Sequence, residues 1–184
     1  MPHFHIPLQN GDNDVLRLMR RRYDTELFRH KIDLIREYIP HAFIGVDLIV
    51  GARGETEEAF ARSRRFVESL PISRLHVFPY SERPGTKALE IDYAVDAAEK
   101  NRRAAEMMAV SAEKHAAFAR RFLGSVRPVL LEHSHKPGML SGFTDNYLRI
   151  EVPASDNADN TIRKLRLDTL LDDGETISAI PAND

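Results

Sequence analysis

The stretch of this chain best suited to chemistry runs from Phe43 to Thr56, with the sequence FIGVDLIVGARGET. A run rich in β-branched residues leads into Gly51 and Gly54, and Thr56 can cap the helical pattern that follows. This order predicts a strand, a tight turn and a helix, with the working loop at the carboxyl end of the strand. The glycine-containing loop GARGET resembles loops that bind phosphate groups. It lacks the Lys-Ser/Thr pair of a P-loop and the three-glycine Rossmann spacing. On pattern alone it indicates a βα turn.

Two histidine pairs could bind a metal ion: His3 with His5, and His133 with His135. Each pair puts two imidazoles on the same side of a predicted strand, and such pairs can hold a metal. Neither segment supplies a nearby carboxylate ligand, so we predict no metal site. No Ser-His-Asp arrangement or catalytic carboxylate pair stands out either.

The composition narrows the classes of function. The chain has 184 residues, no cysteine and a net charge of −2. The lack of cysteine excludes disulfides, thiolate nucleophiles and cysteine-ligated clusters from this chain. Any nucleic-acid surface must be local, because the net charge does not favour a polyanion. There is no N-terminal apolar segment and no run long enough to span a bilayer, which together with the lack of disulfides predicts a cytoplasmic protein.

Strand and helix patterns alternate through the first half of the chain. Predicted strands start at His3, Phe43 and Leu75, and a helical pattern follows each, the last one a long Ala-, Glu-, Lys- and Arg-rich helix over about 94–122. The order predicts an α/β fold with a parallel sheet and crossover helices. The first helix is predicted to end in RRRY at residues 20–23, where three cations either complement the helix dipole or contact a polyanion.

The periodicity changes after residue 122. Short strand patterns then alternate with turn-rich links such as KPG, TDN and DDG. This predicts a small all-β unit of about five strands over 123–184, the size of an OB-like barrel. We therefore predict two domains, 1–122 and 123–184.

Four motifs, taken in order, resemble those of the radical S-adenosylmethionine methylthiotransferases. HFHIPLQNG is similar to their H-x-P-x-Q-S-G segment, and DLIVGARGETEEAF to their D-x-I-V-G-F-P-G-E-T segment. HVFPYSERPGT looks like their H-V-F-P-Y-S-x-R-x-G-T segment, and GFTDNYLRIEV resembles the core of their TRAM domain. The last two motifs are more similar to the branch acting on tRNA threonylcarbamoyladenosine than to the isopentenyladenosine and ribosomal protein S12 branches.

The resemblance implies a parent enzyme that adds a methylthio group to carbon 2 of N6-threonylcarbamoyladenosine in tRNA. Such enzymes use S-adenosylmethionine and two 4Fe–4S clusters, and the cysteines for both clusters would lie before Met1. The chain is thus expected to be the C-terminal part of a partial TIM-like radical-SAM barrel followed by a TRAM domain. It would be inactive without the missing N-terminal part of the same protein. The unpaired edge of its first strand predicts a dimer or a swapped assembly.

Two alternatives remain open at this point. The chain could act as an RNA-binding module only, or the parent could modify ribosomal protein S12.

The resemblance also implies site residues. Those expected to bind S-adenosylmethionine lie along or at the carboxyl ends of strands and are Gln9, Asn10, Asp47, Ile49, Val50, Gly51, Phe78 and Tyr80. Those expected to bind RNA supply cations for phosphates and an aromatic ring for a base. They are Arg20, Arg22, Arg127, Lys136, Thr144, Asn146, Tyr147, Arg149, Arg163 and Lys164. The chain departs from the family at Ala52-Arg53, which replaces Phe-Pro, and there Arg53 could reach a carboxylate or an RNA phosphate.

Overall fold

The computed structural model describes residues 1–155 and 157–182. The chain divides into two compact units. The first, here called the α/β unit, comprises Phe4–Pro40 and Ile44–Ser111. The second, here called the barrel unit, comprises Met1–His3, His41–Phe43 and Ala112–Asp184. None of the helices in the described ranges is both long enough and apolar enough to cross a membrane.

A three-stranded sheet forms the centre of the α/β unit, in the order β1 (His3–Gln9), β2 (Phe43–Val50) and β3 (Arg74–Pro79). Strands β2 and β3 run parallel, as predicted. The α-helices of the chain are α1 (Asn13–Leu18), α2 (Thr25–Tyr38), α3 (Glu57–Ser69) and α4 (Ala97–Arg120). A short 3-10 helix spans Lys87–Glu90.

The first three helices begin at side-chain caps. Asp12, Asp24 and Thr56 each accept a hydrogen bond from a backbone N–H of the first turn, which is the role of an N-cap residue. The end of α1 differs from the prediction. The helix stops at Leu18, and Arg20 adopts a left-handed backbone with φ of +56°, so the three arginines lie beyond the helix rather than in its last turn.

One face of the sheet is covered by helices. Its core comprises alternate strand residues, among them Leu8, Val46 and Leu48, packed with residues of α2, α3 and α4. Because successive strand residues point to opposite sides, a second set of side chains lies on the uncovered face. We call this side the open face and define it by His5, Gln9, Asp47, Ile49, His76 and Phe78, all partly or largely exposed.

Five strands close the barrel in the order β4-β5-β6-β8-β7. They are β4 (Val126–His133), β5 (Met139–Thr144), β6 (Arg149–Pro153), β7 (Thr161–Leu170) and β8 (Thr176–Pro181). Among the barrel strands within the described residues, β6 and β8 are the one pair that runs parallel. Inward residues such as Val129, Ile150 and Leu167 form its core with Phe118 and Phe122. Closure leaves no free edge on these strands.

Candidate functional site

The middle of the open face holds a cluster of two imidazoles and a carboxylate. His5 Nε2 lies 2.5 Å from Asp47 Oδ1, and the rings of His5 and His76 stack with centroids 4.9 Å apart. Asp47 is the register partner of His76. Burial, and then the neighbouring His5, lower the pKa of His76 below its ordinary value. At neutral pH, His76 therefore presents a neutral imidazole to the open face.

The open face becomes apolar toward the carboxyl ends of β2 and β3. Ile49 and Phe78 are register partners there, and a groove of about 430 Å³ opens beside them. The groove is lined by Ile49, Phe78, Pro79, Tyr80, Ser81, Arg83, Thr86 and Ala88. Apolar walls with a few polar groups suit a flat heterocycle. The structure thus brings Ile49, Phe78 and Tyr80 together in one groove.

Two other residues predicted to bind S-adenosylmethionine have side chains that do not lie on the open face. Asn10 is fully buried, where Nδ2 donates to Ile49 O at 3.2 Å and to Glu55 Oε1 at 2.7 Å. Its Oδ1 accepts from the backbone N–H of Asp12. Val50 is 1% exposed and packs in the helix-covered core. This corrects the expectation that these two side chains face a ligand, since both face the protein interior.

Gln9 is the last residue of β1, and Gly51 directly follows β2. Both have left-handed backbones, with φ of +69° and +74°. Arg21 Nη2 donates to Gln9 Oε1 at 2.9 Å, which fixes the amide at the end of β1. The Lys100 side chain packs directly on Gly51, where a Cβ would lie 2.3 Å from Lys100 Cγ. The same lysine lies 5.5 Å from the centroid of the Tyr80 ring. Both strand ends are therefore held by neighbouring side chains.

A buried ion pair, which the sequence did not reveal, holds the loop after β2. The side chains of Glu55 and Arg103 are 0% and 1% exposed. Arg103 Nη1 donates to Glu55 Oε2 at 3.0 Å and to Glu55 O at 2.7 Å. The carboxylate also accepts from Asn10 and from the backbone N–H of Gly51. Burial raises the pKa of Glu55, which these hydrogen bonds oppose. Glu55 therefore joins the ends of β1 and β2 to α4.

Arg53 occupies the position where the sequence departs from the family pattern. Its Nε donates to Glu82 Oε1 at 2.6 Å, and its Nη1 donates to the carbonyls of Leu89 and Ile91, both at 3.2 Å. Of the two expected partners, the structure shows the carboxylate. Arg53 thus fastens the loop after β2 to the loop after β3, which forms one wall of the groove.

Replacing Arg53 with alanine is expected to speed amide exchange in the segment 81–91. The substitution removes the partners of two loop carbonyls and of Glu82, while the strands keep their own hydrogen bonds. Hydrogen exchange followed by mass spectrometry measures this directly. The matched variant is Arg65→Ala, which removes an exposed arginine side chain from α3 and should leave the segment unchanged. Equal exchange in wild type and Arg53→Ala would contradict the fastening.

In the barrel, the predicted RNA residues Thr144 and Asn146 lie behind the surface. They are 1% and 0% exposed, and Thr144 Oγ1 donates to Asn146 Oδ1 at 2.7 Å. Asn146 Nδ2 donates to His41 O, and the backbone N–H of Leu148 donates to Thr144 Oγ1. This corrects the expectation of direct RNA contact. Both side chains instead stabilise the turn that exposes Tyr147, whose φ is +66°.

The cationic side chains predicted to bind RNA differ in whether they already form ion pairs or hydrogen bonds within the protein. Arg127 forms a bidentate pair with Asp145, with both distances 2.8 Å, and Lys136 pairs with Glu151 at 2.8 Å. Arg163 donates to Thr161 Oγ1 and to Asn157 O. In contrast, the side chains of Arg149 and Lys164 are exposed.

Two more grooves contain predicted RNA residues. One of about 610 Å³ on the barrel includes Arg163 and Lys164 in its lining. Another of about 530 Å³ in the α/β unit is lined by Arg17, Arg20 and Lys87 among others. Arg22, two residues after Arg20, is also exposed.

Comparisons with known proteins agree with this architecture. The radical SAM superfamily model matches residues 1–67. Among solved structures, coproporphyrinogen III oxidase (HemN) from Escherichia coli, described as a radical SAM enzyme, superposes with a TM-score of 0.53 at 18% identity. The match covers 78% of this chain and 41% of that one, and it concerns the fold alone. The residues that match the family model include β1, β2 and the GARGET loop of the α/β unit.

The curated relatives specify the branch. The threonylcarbamoyladenosine tRNA methylthiotransferase of Bacillus subtilis is 34% identical over 90% of this chain and 38% of its own length. The same enzyme of Thermotoga maritima is 33% identical over 94% of this chain and 39% of its own length. The chain belongs to the radical SAM methylthiotransferases, and it spans about two fifths of the length of these relatives.

Proposed function

We propose that this chain supplies one wall of the S-adenosylmethionine site and the RNA-binding barrel of a tRNA methylthiotransferase. The parent protein adds a methylthio group to carbon 2 of N6-threonylcarbamoyladenosine. The observation that carries the proposal is the groove in which Ile49, Phe78 and Tyr80 converge. Relatives with 33–34% identity over most of this chain carry the corresponding activity in their names.

The groove and the open face fit the adenosyl group. Ile49 and Phe78 form an apolar wall for the adenine, and Asp47 and Gln9 are polar groups of the open face. S-adenosylmethionine, when bound next to a reduced 4Fe–4S cluster, supplies a 5′-deoxyadenosyl radical. The residues of this chain orient the adenosyl group and exclude water from it. The two clusters are held outside these 184 residues, which contain no cysteine to ligate iron.

The five-stranded barrel fits the TRAM domain of this family. Its exposed Arg149 and Lys164 are suited to phosphates, and Tyr147 and its neighbours to bases. On the α/β unit, Arg20 and Arg22 are further cationic candidates for RNA. The partners of the chain are then tRNA, S-adenosylmethionine and the rest of the same protein, in the cytoplasm.

The proposal is tested with the full-length protein that contains this chain. With reduced clusters, S-adenosylmethionine and tRNA bearing threonylcarbamoyladenosine, the 2-methylthio nucleoside should appear in the digested tRNA by mass spectrometry. The 184-residue chain alone should form none. Parallel reactions with isopentenyladenosine tRNA and with ribosomal protein S12 distinguish the branches. Product only on one of those substrates, or on none, would contradict the proposal.

A second candidate is a module that binds RNA without catalysis. It is favoured by the exposed aromatic and basic residues of the barrel together with the absence of cysteine. Its signature is tRNA binding by the chain alone that weakens as salt increases. Binding that is absent at low salt, or insensitive to salt, excludes it.

A further inference from the structure

A row of exposed side chains crosses four strands on the outside of the barrel, with an arginine on β6 and apolar residues on the other three strands. Phe143 on β5 is the register partner of both Arg149 on β6 and Leu130 on β4, and Leu130 is also the partner of Ile162 on β7. Directly paired residues share one face of a sheet. Phe143, Leu130 and Ile162 are 36%, 42% and 71% exposed. A contiguous exposed row of this kind marks an interaction site rather than scattered surface residues.

Stacked rings support one end of this row. Phe143 stacks on Tyr147 with centroids 4.9 Å apart and planes 19° from parallel. Tyr147 is also 4.4 Å from the ring of His3. The Tyr147 ring also contacts the Phe43 ring edge-on, with centroids 5.7 Å apart, so it is in contact with three other rings. Phe143, which the sequence did not single out, is 36% exposed beside the exposed apolar side chains of Leu130 and Ile162.

The charges on either side of the row differ in sign. On β7, Lys164 and Arg166 follow Ile162 at two-residue intervals and are exposed on the same face. On the other side of the row, Glu132 follows Leu130 by two positions along β4. A polyanionic backbone is therefore favoured along the side of Lys164 and Arg166, with the row beside it.

We propose that the row Arg149–Phe143–Leu130–Ile162 binds the unpaired bases of an RNA loop, with Phe143 as the stacking residue. Lys164 and Arg166 contact the phosphates of the same segment. Single-stranded RNA fits because its unstacked bases can lie on an aromatic and apolar surface, whereas a duplex keeps its bases covered. The inference rests on the proposed function for its RNA partner, and it names the surface and the form of RNA.

The test is binding of a fluorescein-labelled single-stranded RNA of tRNA-loop length to the full 184-residue chain, measured by anisotropy at several salt concentrations. Phe143→Ala should weaken binding about five- to 100-fold without changing the salt slope, because base stacking carries no counterion release. Phe143→Trp should retain binding. Lys164→Gln and Arg166→Gln should each reduce the salt slope by about 0.7.

Controls separate loss of the ring from loss of the fold. Phe143→Leu keeps an apolar side chain on β5 and should still lose the stacking share of the affinity. Tyr38→Ala removes a 77% exposed aromatic side chain at the end of α2 and should bind like wild type. The duplex form of the same RNA should bind more weakly than the single strand.

The outcomes distinguish this inference from the proposed function. Wild-type affinity in Phe143→Leu, or equal affinity for duplex and single strand, would overturn the platform even if the parent enzyme modifies tRNA. Conversely, RNA binding that depends on Phe143 would stand even if the parent forms no methylthio product. Failure of the chain to bind any of these RNAs overturns both the platform and the RNA-binding module, whereas a methylthio product formed by the full-length protein would still support the enzyme.

Discussion

Replacing Arg103 with methionine is expected to lower the free energy of unfolding of the α/β unit by about 3–5 kcal/mol. The side chains of Arg103 and Glu55 are almost entirely buried, so the substitution leaves a carboxylate without its cation and without water. Methionine keeps an apolar side chain against the Phe60 ring, whose centroid lies 5.1 Å from the guanidinium carbon. Urea unfolding followed by circular dichroism suits this chain, which has no tryptophan.

The pH dependence of this loss identifies its cause. Burial already raises the pKa of Glu55, and removal of the guanidinium raises it further. A folded-state pKa above the unfolded value means that stability falls as pH rises toward that pKa. The deficit of Arg103→Met should therefore be smaller at pH 5 than at pH 8. A deficit that is the same at both pH values would contradict an uncompensated Glu55 carboxylate.

The neighbouring Arg102 supplies the matched control for Arg103. Its side chain is 42% exposed and pairs with Glu57, Glu99 and Glu106 at the surface. Exposed ion pairs contribute about 0–1 kcal/mol, so Arg102→Met should cost far less than Arg103→Met. Equal losses in the two variants would show that burial of the pair is not what matters.

Replacing Gly142 with alanine should destabilise the barrel by at least about 3 kcal/mol. The added Cβ would lie 2.1 Å from the carbonyl oxygen of Leu130 and 3.1 Å from Val129 Cγ1. Leu130 belongs to the paired strand β4, so the contact can be relieved only by separating β4 from β5. Thermal unfolding and amide exchange of the segment 126–144 measure the effect. RNA binding should fall with it, because Phe143 and Leu130 lie at the same pairing.

Gly138→Ala is the control for this substitution. Gly138 has φ of +72°, but a Cβ there meets nothing within 4 Å. Alanine at this position adds only the strain of a left-handed backbone, about 1–2 kcal/mol. A loss in Gly142→Ala no larger than that in Gly138→Ala would contradict the steric argument.

The sequence predicted the elements that depend on local patterns. The strand patterns that start at His3, Phe43 and Leu75 predicted β1, β2 and β3, and β2 and β3 pair in parallel as expected. The cap at Thr56 and the five strands of the barrel also match the structure. Such features follow from the chain's own periodicity and composition, which a sequence displays directly.

The features that were missed depend on contacts between distant residues. Arg103 and Glu55 are 48 positions apart, and nothing in an Ala-rich helix indicates that one of its arginines is buried. Asn10, Thr144 and Asn146 belong to polar motifs that favoured ligand contact. The structure shows their polar atoms bonded to backbone groups and side chains of the protein. A motif gives the residue type but not whether its hydrogen bonds are already used.

The left-handed backbone of Tyr147 sets stability against function at one position. A non-glycine residue at φ of +66° carries conformational strain that glycine avoids. Tyr147→Gly relieves that strain but removes the ring on which Phe143 stacks. Selection of this chain for thermal stability alone should therefore favour glycine or asparagine at 147, whereas selection for RNA binding should restore an aromatic residue.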